Sequence, residues 1–263
     1  MSSFDAAAKH YDDDFTNSPI GRIQRKQVLD YLEKHLPAKN LNLLEINCGT
    51  GEDALWLAKK GHRVVCTDVS ASMLEIVKAK VSNAKLEKKI TIQQLDLTKI
   101  ESWETTEKYD IIFSNFAGLN CLNPTELQVT LAELSKLLKP NGQLILVFLG
   151  RFCAWETKYF LLKGTWKSAF RRMNKEAVFA DVDGEKVATW YYSISGVKKL
   201  ISYNLKLKNS KAIGTHVPPS YLNPWFRNKK WLLNIFAALD QLYGTSRIFT
   251  GLSDHYLIEL EKA

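Results

Sequence analysis

The sequence predicts an α/β fold with a parallel, doubly wound sheet, and three observations support that prediction. Short apolar segments alternate with helical segments from residue 41 to residue 149, which is the rhythm of strand–helix–strand units. The segment Ile111-Ile112-Phe113 is continuously apolar, as expected for a strand buried on both faces. Turn-forming residues such as Pro140-Asn141-Gly142 separate the segments. We therefore expect parallel strands with helices on both faces of one sheet.

The first 150 residues are expected to supply five strands and the helices between them. Gly61 stands where a helix terminator is preferred, and Ser70 is suited to cap the helix that follows it. Leu127, Leu131 and Leu134 form one helical stripe. The predicted strands span 41–46, 63–68, 90–96, 109–115 and 143–149, and the predicted helices span 21–35, 51–60, 70–81 and 125–138.

The pattern changes after Gly150. Two alternating segments flank Asp183-Gly184, which is a strong hairpin signal. The segments 204–213 and 255–260 are predicted to complete a sheet of seven strands. Further helices are expected at 155–172, 195–203 and 229–242, and the hairpin strands at 178–182 and 186–192. No linker divides the chain, so we expect a single domain over residues 1–263.

Charge and aromatic residues are distributed unevenly along the chain. The formal net charge is +8, of which residues 1–150 carry −1 and residues 151–263 carry +9. The basic region also holds 19 of the 29 aromatic residues. Such a region is compatible with an anionic substrate, a nucleic acid, a membrane surface or a solvated protein face. The asymmetry suggests that the two parts of the chain have different tasks.

The sequence also bears on where in the cell the protein is expected and on whether it has a metal site. No apolar run approaches the roughly 18–20 residues of a membrane span. The acidic N-terminal sequence resembles neither a secretory signal nor a transit peptide, so we expect a cytoplasmic protein. The four cysteines lie far apart without a Cys-x-x-Cys pair, which excludes a zinc ribbon and a disulfide framework by spacing. We predict no metal site.

The most informative segment is Glu45-Ile46-Asn47-Cys48-Gly49-Thr50-Gly51, where the first strand becomes the first helix. The backbone must turn sharply here and let a ligand approach closely, which requires residues with access to positive φ. Gly49 and Gly51 meet that requirement. Asn47 stands where a third glycine is expected, and asparagine is one of the few other residues that tolerates left-handed backbone.

Acidic residues end the next two strands. Asp68 ends the second strand and could accept hydrogen bonds from both ribose hydroxyls of an adenosine. Val69 and Met73 could sandwich the adenine ring, and Asp96 is placed to take its amino group. Each aspartate alone could be a helix or loop cap. Together, at successive strand ends, they favour nucleoside binding.

Two cofactors fit this arrangement. Gly49-x-Gly51-x-x-Ala54, with an acidic residue further on, also fits the nicotinamide dinucleotide fingerprint. However, Glu45 precedes the loop and Glu52-Asp53 opens the helix. Negative charge at a helix N-terminus repels a pyrophosphate. It suits a ligand that carries an ammonium and a sulfonium.

These residues resemble the class I S-adenosylmethionine-dependent methyltransferases. Glu45-x-Asn47-x-Gly49-x-Gly51 is similar to the family's acidic residue and three spaced glycines, with Asn47 in place of the first glycine. The segment from Leu137 to Leu144 resembles the family's L-K-P-G-G-x-L turn. Ala7, Ala8, Tyr11 and Asp12 resemble the segment that closes over the cofactor in the ubiquinone/menaquinone-type small-molecule subgroup. The resemblance covers about residues 4–150.

The resemblance implies a Rossmann-like, seven-stranded, mostly parallel sheet and S-adenosyl-L-methionine as cofactor. The pattern of the chain adds the expectation of a helical cap over 1–40, a cofactor-binding half over 41–150, an aromatic lid insertion after strand five over 151–203, and final strands and a helix over 204–263. The predicted cofactor-binding residues are Tyr11, Glu45, Asn47, Cys48, Gly49, Gly51, Asp68, Val69, Met73, Asp96, Leu97, Asn115 and Phe116.

Methyl transfer from a sulfonium is an in-line displacement, which depends mainly on holding the acceptor close and in line. A general base is needed only when the acceptor atom is protonated at neutral pH. The candidate catalytic residues are His255, which follows Asp254, and also His216 and Tyr11. Tyr191, Tyr192 and Tyr221 are candidates to line the acceptor pocket.

The aromatic insertion favours a small, apolar or aromatic acceptor. Asn115-Phe116-Ala117-Gly118 differs from the N/D-P-P-Y/F segment of amino-directed nucleic-acid methyltransferases. The basic pairs are scattered and form no stripe, so we do not expect nucleic acid as a partner. An RNA methyltransferase, a nicotinamide-dependent oxidoreductase and a non-catalytic scaffold remain the alternatives. Peripheral membrane contact and oligomeric state are left open.

Overall fold

The computed structural model describes residues 4–36 and 40–262, apart from the side chain of Arg247. The strands are β1 Asn42–Ile46, β2 Arg63–Asp68, β3 Ile90–Gln94, β4 Tyr109–Ser114, β5 Leu138–Leu149, β6 Val178–Val182, β7 Glu185–Thr189, β8 Leu205–Ile213 and β9 His255–Lys262. The α-helices are α1 Pro19–His35, α2 Glu52–Lys59, α3 Ala71–Ala84, α4 Pro124–Leu137, α5 Ala154–Leu162, α6 Trp166–Ala169, α7 Ile194–Leu200, α8 Asn223–Phe226, α9 Lys230–Tyr243 and α10 Arg247–Thr250.

Seven strands form one sheet in the order β3-β2-β1-β4-β5-β9-β8. The pairs from β3 to β5 are parallel, whereas β9 runs antiparallel to both β5 and β8. The chain crosses from β3 past β1 to β4, so the direction of strand order reverses between β1 and β4. The predicted mostly parallel, seven-stranded α/β sheet is therefore confirmed. Ligands of such sheets bind at the carboxyl ends of the strands beside this reversal.

The sheet is buried on both faces because successive side chains of each strand point to opposite sides. Leu43 and Ile111 belong to a core cluster that also contains apolar residues of α1, α2 and α3. Leu44 and Ile112, their neighbours in sequence, belong to a second cluster with apolar residues of α4 and α7. Complete burial of such a side chain contributes roughly 1.5–3 kcal/mol. The continuous apolar runs of the sequence follow from this two-sided burial.

Side-chain caps fix where the helices begin. The Ser70 hydroxyl accepts a hydrogen bond from the Met73 amide at 3.1 Å, which confirms Ser70 as the N-cap of α3. Ser18 caps α1 in the same way, directly before a proline at the first helical position. Asn123 and Glu126 form a reciprocal capping box at the start of α4. These caps set the ends of the strand–helix connections.

Two predicted elements differ in the structure, and two further elements were not expected. The helix expected over 155–172 is broken into α5 and α6, because Gly164 adopts a left-handed backbone with φ of +71°. The N-terminal cap before α1 consists of a short 3₁₀ segment, Ala7–Lys9, and a π-helical turn, Asp12–Thr16. Residues 1–3 and 37–39 of the expected cap lie outside the described residues. Two short helices, α8 and α10, were not predicted.

The aromatic residues of the region after β5 take two separate places. Trp155 and Tyr159 of α5 pack on a third apolar cluster that includes Ile20, Phe226 and Leu233. Strands β6 and β7 instead form a separate two-stranded antiparallel hairpin. This hairpin lies over the carboxyl ends of the main sheet, since Ala180, Val182, Val187 and Thr189 line the cavity there.

Candidate functional site

The loop after β1 has the backbone that its sequence predicts. Gly49 and Gly51 have φ of +52° and +79°, and Asn47 has φ of +55°. The prediction that Asn47 meets a left-handed requirement is therefore confirmed. A Cβ atom at position 51 would lie 3.0 Å from both methyl carbons of Val77. Gly51 is thus required twice, by its φ angle and by the close packing of α3.

Asp68, at the end of β2, is held in place by backbone amides. Its Oδ2 accepts from the Gly49 amide at 2.9 Å and its Oδ1 accepts from the Ser70 amide at 2.9 Å. Burial raises the pKa of Asp68, although the hydrogen bonds from these amides oppose that rise. Each carboxylate oxygen keeps a further lone pair for a ligand. The carboxylate is thereby fixed beside the glycine loop.

A cavity of about 340 Å³ lies above the carboxyl ends of β1, β2, β4 and β5. Most of the residues predicted to bind the cofactor line this cavity. They are Tyr11, Asn47, Cys48, Gly49, Asp68, Val69, Met73, Asp96, Leu97, Asn115 and Phe116. Glu45 and Gly51 are the predicted cofactor residues that do not line it. The carboxyl-end placement expected for a doubly wound sheet brings these distant segments together.

Glu45 lies behind the cavity lining. Its side chain is fully buried, and burial together with the nearby Asp53 charge raises its pKa well above the usual range. Its Oε2 has no hydrogen-bond partner among the described residues. Glu45 therefore lies beneath the loop and makes no surface contact with the cavity.

Arg25 is a cavity residue that the sequence analysis missed. Its guanidinium lies 2.6 Å from Asp53 Oδ2, which also accepts from Asn115 Nδ2 at 2.9 Å. The guanidinium stands 4.9 Å from the centre of the Phe116 ring. No sequence signal marks Arg25, because it lies on α1 and meets its partners only in the folded chain.

Asp53 has a carboxylate oxygen that this network leaves open. Its Oδ1 is buried and has no hydrogen-bond partner among residues 4–36 and 40–262, and the residue lines the cavity. A buried carboxylate oxygen without a partner is costly. It is the kind of group that a cationic ligand satisfies, whereas a pyrophosphate would be repelled.

Asp96 caps its own loop and also lines the cavity. Its Oδ1 accepts from the Thr98 amide at 3.0 Å and from the Thr98 hydroxyl at 2.7 Å, which is a loop cap. Asp96 and Leu97 also line the cavity. The cap holds the carboxylate at the cavity edge, where a second oxygen can meet a ligand.

The N-terminal segment is bound over the glycine loop. Asp12 accepts from the Thr50 hydroxyl at 2.6 Å and forms an ion pair with Lys80 at 2.6 Å. The Tyr11 ring lies over Gly49, since a Cβ atom there would be 3.9 Å from Tyr11 Cε1. Burial raises the pKa of Tyr11 to about 12. At neutral pH its phenol is therefore protonated and acts as a hydrogen-bond donor.

The loop after β4 is strained where it lines the cavity. Phe116 and Ala117 have φ of +46° and +67°, which is costly for residues with a side chain. A Cβ atom at Gly118 would lie 2.4 Å from Asn47 Cβ. The side chain of Asn47, the residue that replaces a glycine of the family pattern, thus fits only because position 118 lacks one.

Asn120 connects the end of β5 to the segment that follows β7. Its side-chain oxygen accepts from the Leu149 amide at 2.9 Å, and its Nδ2 donates to the Trp190 carbonyl at 2.5 Å and the Leu149 carbonyl at 3.2 Å. Its backbone carbonyl accepts from the Trp190 amide at 2.7 Å. One fully buried side chain therefore fixes the end of β5 and the strand that leaves the hairpin. No motif in the sequence indicates this role.

The hairpin covers the cavity with small and apolar residues. Ala180, Val182, Val187 and Thr189 line it. None of the ten aromatic residues between 152 and 192 does so, and neither does Tyr221. The part of the predicted lid that faces the cavity is therefore small and apolar, and the aromatic residues of the insertion do not line the cavity. Alternation along β6 and β7 turns the small residues inward and leaves Phe179 exposed.

We divide the cavity lining into two parts. The acidic part is Asp53, Asp68 and Asp96 with the loop after β1, and the apolar part is Leu122, Leu149 and the inward residues of the hairpin. Arg25 is the one cationic residue among the described lining residues, and it is paired with Asp53. The basic charge of residues 151–262 contributes nothing to the lining that the structure describes.

The two candidate histidines lie outside the cavity lining. His216 Nδ1 is 2.8 Å from Asp240 Oδ1, and that carboxylate also accepts from the amides of His216 and Val217. His216 thus helps to anchor its own loop to Asp240. His255 packs edge-on against the Phe116 ring, and its Nδ1 is 3.2 Å from Asp254 Oδ2. Of the two, only His255 contacts a cavity residue.

A buried ion network holds Asp254. Arg172 Nη2 lies 2.8 Å from Asp254 Oδ1 and 2.8 Å from Glu156 Oε2. Burial alone would raise the pKa of Asp254, but His255 and Arg172 hold it well below its usual range.

Among the described residues, no group of three or more His, Cys, Asp or Glu could hold a metal ion. No helix in the described ranges could span a membrane.

Comparisons with known proteins agree with this geometry. Residues 43–142 match a family described as a methyltransferase domain. A demethylmenaquinone methyltransferase of Leptospira interrogans is 25% identical over 169 residues, which cover 61% of this chain and 66% of that protein. A non-reducing polyketide synthase of Penicillium brasilianum is 31% identical over 167 residues, 59% of this chain but only 6% of the synthase. The chain therefore spans less than two thirds of these relatives.

A solved structure extends the likeness in fold. Magnesium protoporphyrin IX methyltransferase from Synechocystis, with bound S-adenosylhomocysteine, superposes with a TM-score of 0.60 at 14% identity. The match covers 93% of this chain and 86% of that one. The likeness thus includes the region after residue 150, where the resemblance in sequence ends.

Proposed function

We propose that this chain is a class I S-adenosylmethionine-dependent methyltransferase and that it methylates a small, apolar acceptor held against the apolar part of the cavity. S-adenosylmethionine supplies a methyl group activated by a sulfonium charge. The observation that carries the proposal is the division of one cavity into an acidic part and an uncharged, apolar part. The charge of the acidic part would bind the cofactor, and the shape of the apolar part would bind the acceptor.

The acidic part fits the chemistry of this cofactor. Asp68 would accept from the ribose hydroxyls, and Asp96 with Leu97 would bind the adenine. The open Oδ1 of Asp53 would accept from the ammonium of the methionine portion, since it is buried and unsatisfied among the described residues. Tyr11 and Asp12 hold the N-terminal segment closed over the loop. A nicotinamide dinucleotide would place its pyrophosphate against these carboxylates.

The apolar part argues for an uncharged acceptor. A carboxylate or phosphate acceptor would need a cationic partner there, and the described lining offers only Arg25, which Asp53 already neutralises. The relative from Leptospira is named for an apolar quinone acceptor. We extend that chemical class, an apolar ring with a hydroxyl or carbon acceptor atom, to this chain.

His255 is the proposed general base, if the acceptor is a hydroxyl. It contacts Phe116, and its Nδ1 lies 3.2 Å from Asp254 Oδ2. Tyr11 is unsuited because its phenol remains protonated at neutral pH. His216 is bound to Asp240, away from the cavity.

An acceptor panel tests this proposal. The chain is incubated with S-adenosylmethionine and a hydroxylated aromatic ring with an apolar tail, a free carboxylate of similar size, or RNA. We expect methyl transfer to the apolar ring alone. Transfer to the carboxylate or to RNA, with none to the apolar ring, would falsify the acceptor class but leave the cofactor assignment intact.

A pH profile separates the three catalytic candidates. If His255 is the base, His255→Gln lowers kcat by roughly 10²–10⁴-fold and removes the acidic limb of the profile. Tyr11→Phe and His216→Gln retain that limb. An acidic limb that persists in His255→Gln and disappears in His216→Gln would reassign the base.

A further inference from the structure

Thirteen large apolar side chains are exposed among the described residues, and all thirteen belong to the region after β5. Trp166, Trp225 and Trp231 expose 68%, 61% and 65% of their surface, and Leu162 exposes 79%. Exposed tryptophans are costly in water unless they have a partner. We infer that this surface docks the protein onto an anionic lipid bilayer.

Ring contacts join part of this surface. The Tyr159 ring centre lies 5.7 Å from that of Tyr221 and 5.6 Å from that of Trp225, which joins α5 to the segment around α8. Lys163 Nζ lies 4.5 Å from the Tyr159 ring centre. Leu162 and Trp166 flank Gly164, the break between α5 and α6. We call Tyr159, Leu162, Lys163, Trp166, Tyr221 and Trp225 the aromatic patch.

Helix α9 continues the apolar surface. Its inner face packs Leu233 into the third apolar cluster. Its outer face exposes Trp231, Ile235 and Leu242, which are spaced as one stripe of a helix. A helix that is apolar on both faces leaves one face without a partner in the described chain. Trp231 follows Trp225 by six residues, at the first turn of α9.

Charge points to an anionic surface as the occupant. The segments 157–175 and 217–239 contain no Asp or Glu. They contain Lys158, Lys163, Lys167, Lys175, Arg227, Lys229 and Lys230, besides Arg171 and Arg172, which are ion-paired with Glu156 and, for Arg172, also with Asp254. Each such cation near an anionic leaflet adds about 1 kcal/mol of attraction, or about fivefold in affinity.

The combination of side chains favours a bilayer over other partners. Tryptophan is enriched at the level of lipid headgroups, and lysines beside it extend to the phosphates. A single-stranded RNA would need a cationic groove with stacking rings, whereas these tryptophans stand outward on helices and loops. The proposal does not depend on the methyl acceptor. It also explains why the +9 charge of residues 151–263 is absent from the described cavity lining.

Vesicle flotation tests the proposal with the full chain. We expect it to float with phosphatidylcholine vesicles that contain about 30% phosphatidylglycerol and to remain in solution with pure phosphatidylcholine. Salt should weaken the binding because exposed charges are screened. In Trp166→Ser/Trp225→Ser/Trp231→Ser, partitioning should fall by about tenfold or more per tryptophan.

Matched variants control for folding and for general charge. Tyr203→Ser removes an almost fully exposed aromatic residue away from the patch and should bind like the parent. Lys163→Gln/Lys167→Gln should lose affinity for anionic vesicles, and the exposed pair Lys78→Gln/Lys88→Gln should not. Circular dichroism and S-adenosylhomocysteine binding check that each variant is folded. No flotation of the parent, equal flotation of the triple variant, or patch-dependent binding of RNA in place of vesicles would each overturn the proposal.

Discussion

The acidic and apolar parts of the cavity differ in how they are built. The acidic part lies on loops that follow parallel strands, with left-handed backbone at Asn47, Gly49 and Gly51 and aspartates at the strand ends. The apolar part lies on the end of β5 and on a hairpin outside the main sheet, joined by one buried asparagine. Local sequence determines the first part, whereas long-range contacts assemble the second.

The largest effect is expected in the acidic part, from Arg25→Met. The change leaves Asp53 buried without its cation, and breaking such a pair costs about 3 kcal/mol or more of the free energy of unfolding. Arg22, on the same helix, is exposed, and Arg22→Met should change stability by less than about 0.5 kcal/mol. Urea unfolding measures both. Equal stability of the two variants would mean that the Arg25–Asp53 pair does not hold the acidic part together.

Asn120→Ala tests the apolar part. It removes three side-chain hydrogen bonds and leaves buried groups of Leu149 and Trp190 without partners, at a cost of about 2 kcal/mol. The KM for the acceptor should rise, and affinity for S-adenosylhomocysteine should stay within about twofold, because the acidic part is untouched. Asn83→Ala, at an exposed position in α3, is the control. An equal loss of affinity for S-adenosylhomocysteine would show that the two parts are not separable.

The close approach of Asn47 and Gly118 predicts that substitutions at these two positions have coupled effects on stability. Gly118→Ala should destabilise the fold by about 1–3 kcal/mol, because its Cβ would lie 2.4 Å from the Cβ of Asn47. In an Asn47→Gly background the space is open and φ at residue 118 allows a side chain, so most of that loss should disappear. A double-mutant cycle by thermal unfolding should give a coupling of about 1 kcal/mol or more. Strict additivity would contradict the contact.

A smaller effect concerns pH. Burial raises the pKa of Asp68, and only its ionised form accepts two hydrogen bonds from a ribose. Affinity for S-adenosylhomocysteine should therefore fall as pH decreases through that raised pKa, by at most about tenfold per pH unit. The decline should begin at a higher pH than an exposed aspartate would give. In Asp68→Asn the affinity should depend less steeply on pH. An unchanged pH dependence would assign the titration to another group.

The sequence predicted the part of the site that local rules determine. Positive φ at Asn47 follows from the tolerance of asparagine for left-handed backbone, and Asp68 from its place at a strand end. Arg25 and Asn120 could not be predicted, because their partners are distant in the chain. The hairpin was predicted from Asp183-Gly184, but which of its faces turns toward the cavity depends on how it docks. The number of aromatic residues after β5 therefore did not indicate which side chains line the cavity.

Calorimetric titration with S-adenosylhomocysteine tests the central claim, that an acidic part binds the cofactor independently of an apolar acceptor part. We expect the parent to bind in the micromolar range, Asp68→Ala to bind about tenfold more weakly or worse, and Asn120→Ala to match the parent. Glu87→Ala, an exposed acidic residue, should also match it. No binding by the parent, or an Asp68→Ala variant that binds as tightly as the parent, would contradict the account.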